Sequence, residues 1–277
     1  MKQFIKNNIK TFIIVLITTI VVGSVSVYAT SQYFAKDISF TPTNENFKKE
    51  NGELVDNVED AINSLYNNIG SDLYTKLTQR LTNQKISKLH NGVEIQKDEN
   101  NDYYFNFDGV DDYVQIETLP ASINWRDGFT IEFKAKWDAF NLWSSIFDFG
   151  NGADSDNILV SNFLTQNILT FVGRSGKNEV FTMPNVVINN DTALFTITLT
   201  KIDNTYNVDY YINKTLSYSH TLTTNYLLQN IERKSNYLGR SNWAIDPYFL
   251  GRIYSLKIDQ ADGKNIIDID VNKIIKN

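Results

Sequence analysis

The chain has no cysteine among its 277 residues. Disulfides, thiolate metal sites and cysteine nucleophiles are therefore excluded, and export without crosslinks is compatible with the composition. Histidine is almost as scarce. His90 and His220 have no candidate nucleophile or metal partner nearby in sequence, so His90 reads as a solvated linker residue and His220 as an outward strand residue. Basic residues form no stripe and the net charge is −6, which leaves nucleic-acid binding without an electrostatic footprint. Paired carboxylates are missing too. A retaining glycosidase needs two carboxyl groups about 5 Å apart, which on one strand means acids at i, i+2 or i+4. The strand pattern FTIEFKAKW carries a single acid, Glu132, and Asp268 and Asp270 stand apart in a C-terminal tail. No enzyme is expected.

What the chain does have begins with a basic start, Lys2, Lys6 and Lys10, followed by the uncharged run Phe12 to Ala29. A helix of about 18 residues rises ~27 Å, enough to cross a hydrocarbon core. Two readings stay open for residues 1–30. As a signal anchor, the segment makes a single-pass cell-membrane protein with its C-terminal domain outside. As a signal peptide, it is cleaved after Ala29, behind Val27-Tyr28, and the protein is secreted. Residues 31–52 are polar, contain Pro42 and read as a linker. Residues 53–84 carry Val55, Val58, Ile62, Leu65 and Ile69 at helical spacing, and after Gly70 an offset set of Leu73, Leu77 and Leu81. This is a helical spacer, with dimer or trimer formation through a short coiled coil as the sharper alternative. VDNVEDAINSLYNN resembles a segment found behind the membrane anchor of exported proteins of low-GC Gram-positive bacteria and their phages.

Past His90-Asn91-Gly92 the period changes from helical to alternating. Phe129, Ile131, Phe133, Ala135 and Trp137 face one way; Phe195, Ile197 and Leu199 repeat the pattern, as do Tyr206, Val208, Tyr210 and Ile212. Alternation of this kind means strands with one buried face, packed as two sheets. Turn signals at Asn151-Gly152, Ser175-Gly176, Asp203-Asn204 and Asp262-Gly263 separate them. Within FNFDGVDDYVQI, Phe105 and Phe107 precede an Asp108-Gly109 turn and Val114 and Ile116 follow it, which reads as a hairpin. The acids beside that turn, Asp108, Asp111 and Asp112, are either solvated or wrapped round a cation, and Asp111 and Asp112 are expected to be turn residues. Trp125 and Trp137 are expected in the core or at its edge. The tail after Asp262, with IIDIDVNKII, is expected to add a strand to the sandwich edge.

FDGVDDYVQI followed by DGFTIEFKAKW resembles the opening of laminin-G-like domains of the concanavalin A-like lectin superfamily, to which pentraxins also belong. SIFDFGNGADSDNILV resembles the paired central strands, FTITLTKIDNTYNVDYYIN the long hairpin, and NYLGRSNW with YFLGRIYSLKI the closing strands. The resemblance covers roughly Asn101 to Asp259. It implies an all-β fold for residues 86–277: an antiparallel two-sheet jelly-roll sandwich of the concanavalin A-like kind. It also implies a calcium on Asp156 and Asn157, where pentraxins place an Asp–Asn pair. Here the later loop, SNWAIDPY, adds Asp246 but no acidic cluster, so the calcium is single and weak, or absent. The alternative role for such residues is to bond their own backbone in turns. For a ligand, the resemblance sets Trp243, Asn242 and Tyr248 beside Asp156-Asn157, with Trp143 on another loop. Sugars stack their apolar face on aromatic rings while Asn and Asp take the hydroxyls. The expectation is a non-catalytic binding module for a glycan or cell-surface ligand. An adhesion protein contacting another protein is the second reading and a divergent glycoside hydrolase the third.

Overall fold

The structure, a computed structural model, describes residues 71–276. The expected anchor or signal segment, the linker and the spacer up to residue 70 lie outside the described residues, and so does the stretch that resembles exported Gram-positive proteins. Among the described residues no helix is long and apolar enough to cross a membrane. Helix α1 (Ser71–Asn83) leads into β1 (Ile86–His90), β2 (Glu94–Lys97), β3 (Tyr103–Asp108), β4 (Tyr113–Ile116) and β5 (Gly128–Trp137). The chain continues through β6 (Ser145–Gly150), β7 (Ile158–Asn162), β8 (Ile168–Ser175), β9 (Asn178–Val187) and β10 (Ala193–Ile202). It closes with β11 (Thr205–Ile212), β12 (Thr215–Thr221), β13 (Ser235–Leu238), β14 (Leu250–Gln260), β15 (Asn265–Asp270) and helix α2 (Val271–Lys276).

These strands make two antiparallel sheets, one in the order β1-β4-β13-β6-β7-β8-β9 and the other β12-β11-β10-β5-β14-β3-β2. The alternating apolar residues of both turn inward. Phe129, Ile131, Phe133, Ala135 and Trp137 of β5 are all buried, as are Val160 of β7 and Phe171 of β8 on the facing sheet. Aromatic rings fill the gap edge to face, among them Trp137 with Phe195 and Phe249, and Phe129 with Phe171. Trp125 and Trp137 are both core residues.

The Asp108-Gly109 turn is not a hairpin. β3 pairs with β2 and β14, while β4 pairs with β1 and β13, so the turn carries the chain from one sheet to the other. Phe105 and Phe107 share the core with Val114 and Ile116 but enter it from the other sheet. Alternation shows which residues point inward; it does not distinguish a partner in the same sheet from one in the sheet opposite. The tail does add a strand. β15 pairs with the second half of β14, on the side where β3 covers only the first half.

Helix α1 ends docked on this sandwich. Leu77 and Leu81 pack on the core, and Arg80 donates to the carbonyls of Ile274 and Ile275 at 3.0 and 3.2 Å. Gln84 exchanges two hydrogen bonds with the backbone of Asp270. One backbone position shows how tightly the sheet rim is built. Gly128 has φ +100, and a Cβ there would lie 2.2 Å from the Leu199 carbonyl oxygen. Gly128→Ala is expected to cost about 2–4 kcal/mol, through strain and forced strand separation. Denaturant unfolding of the two chains measures it, and a change below about 1 kcal/mol would contradict the packing described.

Candidate functional site

The outward face of the seven-stranded sheet carries a cleft of about 350 Å³. Its floor comes from cross-strand neighbours that point away from the core: Ser145 opposite Ser161, and Leu159 opposite Val172, which in turn faces Thr182. Small hydroxyl side chains at the first pair leave a hollow. Ser161 is fully buried and its Oγ has no hydrogen-bond partner. With no accessible surface, this hydroxyl lies beneath the floor of the cleft. Trp143 stands on one wall and Trp243, with Ser241 and Asp246, on another; Arg174 and Glu179 come from the β8–β9 hairpin.

The backbone that holds the two tryptophans is constrained. Trp143 has φ +55, and its N–H donates to the Leu164 carbonyl at 3.0 Å, another residue in the left-handed region at φ +52. Bulky residues avoid that region, so the strain is offset by the surrounding contacts. One of these is the edge-to-face stack of Trp143 on Phe163, with centroids 5.0 Å apart. Trp243 sits in a tight turn in which Ser241 Oγ donates to Asp246 Oδ2 at 2.8 Å and accepts the Trp243 N–H at 3.1 Å. Arg174 lies over the Trp243 ring, its Cζ 5.5 Å from the centroid, and pairs with Asp154 at 3.1 Å. A cation over an aromatic face at a partly exposed site is worth about 0.5–1 kcal/mol. Arg174→Ala is therefore expected to weaken ligand binding about three- to fivefold, by loosening the Trp243 ring. Titration calorimetry checks this, and unchanged affinity would show that the ring needs no such support.

Under the turn lies Asp148, fully buried on β6. Its Oδ2 accepts the Asn242 N–H at 2.8 Å and its Oδ1 accepts from Asn157 Nδ2 at 2.9 Å. Burial pushes the Asp148 carboxyl up to about 6, against the pull of those donors. Burial also raises the carboxyl of Asp246, against its bond from Ser241. Asp148 is thus a buried staple between the loop after β13 and the loop before β7.

Of the residues expected at the site, Trp143, Trp243 and Asp246 come together in this cleft. Asn242 and Tyr248 do not. The Asn242 amide turns inward to the carbonyls of Ser235 and Asp148, and the Tyr248 ring packs near Tyr113, 6.2 Å between centroids. Asp156 and Asn157 are occupied as turn residues. Asp156 Oδ1 accepts the Gly176 N–H at 2.6 Å, while Asn157 is fully buried, with its oxygen on the Ser155 N–H and its nitrogen on Asp148 and Gly152. His90 is no linker residue; it ends β1, stacks on Tyr113 at 4.1 Å and meets Gln115 at 3.0 Å. Ser145, Ser161, Arg174, Glu179 and Asp148 escaped the sequence reading. Serines inside strands carry no signal until the register between β6 and β7 is known. Asp148 reads as an ordinary outward residue of SIFDFG. A second, larger groove of about 810 Å³ runs along residues 224–231 past Arg126 and Asn204; it carries Tyr226 but no tryptophan.

The two-sheet sandwich with a cleft on one outer face has the architecture of a lectin-type domain. Residues 108–261, more than half the chain, match the Laminin_G_3 model of the concanavalin A-like lectin/glucanases superfamily, and the chain belongs to that family. No curated protein matches it. Among solved structures it is similar to domain 4 of AbnA, a GH43 extracellular arabinanase from Geobacillus stearothermophilus in complex with arabinotriose. That likeness has 15% identity over 70% of this chain and 84% of the other, with a TM-score of 0.43. It is also similar to the CBM40 of a Ruminococcus gnavus IT-sialidase bound to alpha2,3 sialyllactose, with 15% identity over 48% and 75% of the two chains and a TM-score of 0.39. Domains LG4-5 of the mouse laminin alpha1 chain share 15% identity over 54% of this chain and 40% of that one, with a TM-score of 0.38.

Proposed function

We propose that this chain is a non-catalytic binding module that holds a glycan in the cleft between Trp143 and Trp243. The observation that carries the reading is that two half-buried indoles, Trp143 and Trp243, line one cleft. Sugar rings present an apolar face to an aromatic side chain and hydroxyls to its polar neighbours. Asp246, Thr182 and Glu179 supply acceptors and Arg174 a donor at the margins of the same cleft. The basic start and apolar run of residues 1–29 support a position outside the cell, as a membrane-anchored or secreted protein. The calcium expected on Asp156, Asn157 and Asp246 is not needed by this reading, because the Asn157 side chain is already spent inside its turn.

One observation favours hydrolysis instead: the two carboxyls of Asp246 and Glu179 line one cleft. A broad glycan panel, applied to the full chain with product analysis by mass spectrometry, separates the readings. Binding without turnover is the expected result. Turnover lost in Asp246→Asn would make the protein a glycosidase, and silence across the panel would move the partner to another protein.

A further inference from the structure

Away from the cleft, the chain from Thr223 to Glu232 runs between β12 and β13 without joining either sheet. Among the described residues, none of its main-chain groups bonds to another main-chain group. Side chains hold it instead. Leu228 is buried, its N–H donates to the Tyr206 hydroxyl at 3.2 Å, and that hydroxyl donates to the Arg126 carbonyl at 2.8 Å. Asn230 Oδ1 accepts the Arg126 N–H at 2.9 Å, and Gln229 Nε2 donates to Ser175 Oγ at 2.8 Å. The segment forms one wall of the groove of about 810 Å³, its shape set by side chains and main-chain groups left over for a ligand.

In a chain of net charge −6, the one charged residue lining this groove is a cation, Arg126. It is exposed, and among the described residues its guanidinium has no ion pair and no hydrogen-bond acceptor. The acids nearby in sequence are taken: Asp127 by Lys201 at 3.0 Å and Asn124 at 2.7 Å, and Glu232 by Lys234 at 2.8 Å. A second cation sits behind the wall. Arg233 is fully buried, its Cζ 5.0 Å from the Trp125 ring centroid, and it donates to the carbonyls of Asp156 and Gln229 at 2.9 and 3.4 Å. Among the described residues no carboxylate is in ion-pair contact with it. Burial lowers its pKa to about 10, against the pull of the Asp156 charge, so it stays protonated at neutral pH. Two guanidiniums without carboxylate partners give this groove a positive potential, which low-dielectric walls focus.

We propose that this groove docks a peptide segment of a partner protein, with an Asp or Glu side chain of that segment on Arg126. A carboxylate meets the planar guanidinium through two parallel hydrogen bonds. The main-chain groups of residues 223–232 pair with those of the peptide, and Tyr226, 44% exposed, offers a ring of the kind that anchors protein interfaces. A glycan is the weaker fit, since a single tyrosine lines the groove where the cleft has two tryptophans. The site is separate from the cleft and does not depend on what the cleft binds.

A displayed library of short random peptides, selected on the full chain, is expected to converge on sequences with an Asp or Glu at a fixed position. The best peptide is then made with that acid and with its Asn or Gln counterpart, and both are titrated by fluorescence anisotropy against the parent chain and Arg126→Gln. The Arg126 side chain is exposed and unbonded, so this substitution leaves the fold intact. Each single change is expected to weaken binding at least about tenfold, and the two together scarcely further, as one direct contact requires. Tyr226→Ala is expected to weaken it about fivefold. No peptide enriched over a control protein overturns the proposal, and so do peptides that bind Arg126→Gln as tightly as the parent. Oligogalacturonate binding that is lost in Arg126→Gln, with no peptide selected, would make the occupant an acidic glycan instead.

Discussion

Trp243→Ala is expected to weaken glycan binding at least about 30-fold while leaving the melting temperature within a degree or two. The ring is half-buried on a loop, so its removal opens no core cavity. In a ligand complex the same ring would lose its contact with water on both faces. One face lies toward the Arg174 guanidinium, which in the proposed reading leaves the other for a sugar. Buried aromatic anchors at the centre of an interface cost about 2 kcal/mol or more on truncation, which is the 30-fold expected. Trp243→Phe keeps a stacking face and is expected to retain most of the affinity. Titration of the best glycan against the three chains decides it. An affinity within threefold of the parent in Trp243→Ala would remove this residue from the site.

Asp148→Ala is expected to damage stability and binding together. The substitution strands the Asn242 N–H and the Asn157 side-chain nitrogen beneath the loop that carries Trp243. At pH 7, where the carboxyl is mostly ionised, hydrogen bonds to a charged acceptor contribute about 1.5–3 kcal/mol, offset by relief from burying a carboxyl, so a net loss of about 2–4 kcal/mol is expected there. For a domain of this size that lowers the melting temperature by roughly 5–15 °C. The effect has a pH signature with a definite sign. The Asp148 carboxyl titrates near 6 in the folded chain against 3.8 ordinarily, so the folded state holds the proton more tightly. Its contribution to stability is fully present below about pH 3.8 and is lost as pH rises through about 6. The cost of Asp148→Ala is therefore larger at pH 4 than at pH 7, by on the order of 3 kcal/mol. Urea melts of both chains across that range measure it. A cost that grows toward neutral pH would mean the carboxylate, not the acid, is the favoured folded form.

The sandwich was legible because alternation is a direct record of which side chains face the core. Phe129 to Trp137 and Phe195 to Leu199 read inward from the sequence, and they are inward. Pairing is a different kind of information. The Asp108-Gly109 turn has the residues of a hairpin and the positive φ of one at Gly109, yet it bridges two sheets, because only the long-range partners β13 and β14 decide where each strand goes. The same gap explains the site. Trp143 and Trp243 stood out as aromatics beside loops, whereas Ser161 and Arg174 acquire meaning only when β6, β7, β8 and β9 are set side by side. Asn242 and Tyr248 follow β13 as Trp243 does, but their side chains turn away from the cleft, since side-chain direction in an irregular turn follows from its local contacts. His90 looked solvated because the strand that it ends pairs with a segment more than 20 residues on.

The claim that the cleft is the ligand site is tested most directly by the accessibility of the tryptophans. Trp125 and Trp137 are fully buried, while Trp143 and Trp243 are partly open at the cleft. Acrylamide quenching of the full chain should therefore show an accessible and an inaccessible class of fluorescence. With a saturating glycan from the panel, the accessible class is expected to shrink sharply as the two cleft indoles are covered. A bound glycan that leaves quenching unchanged would contradict the account and send the search to the groove beside Tyr226.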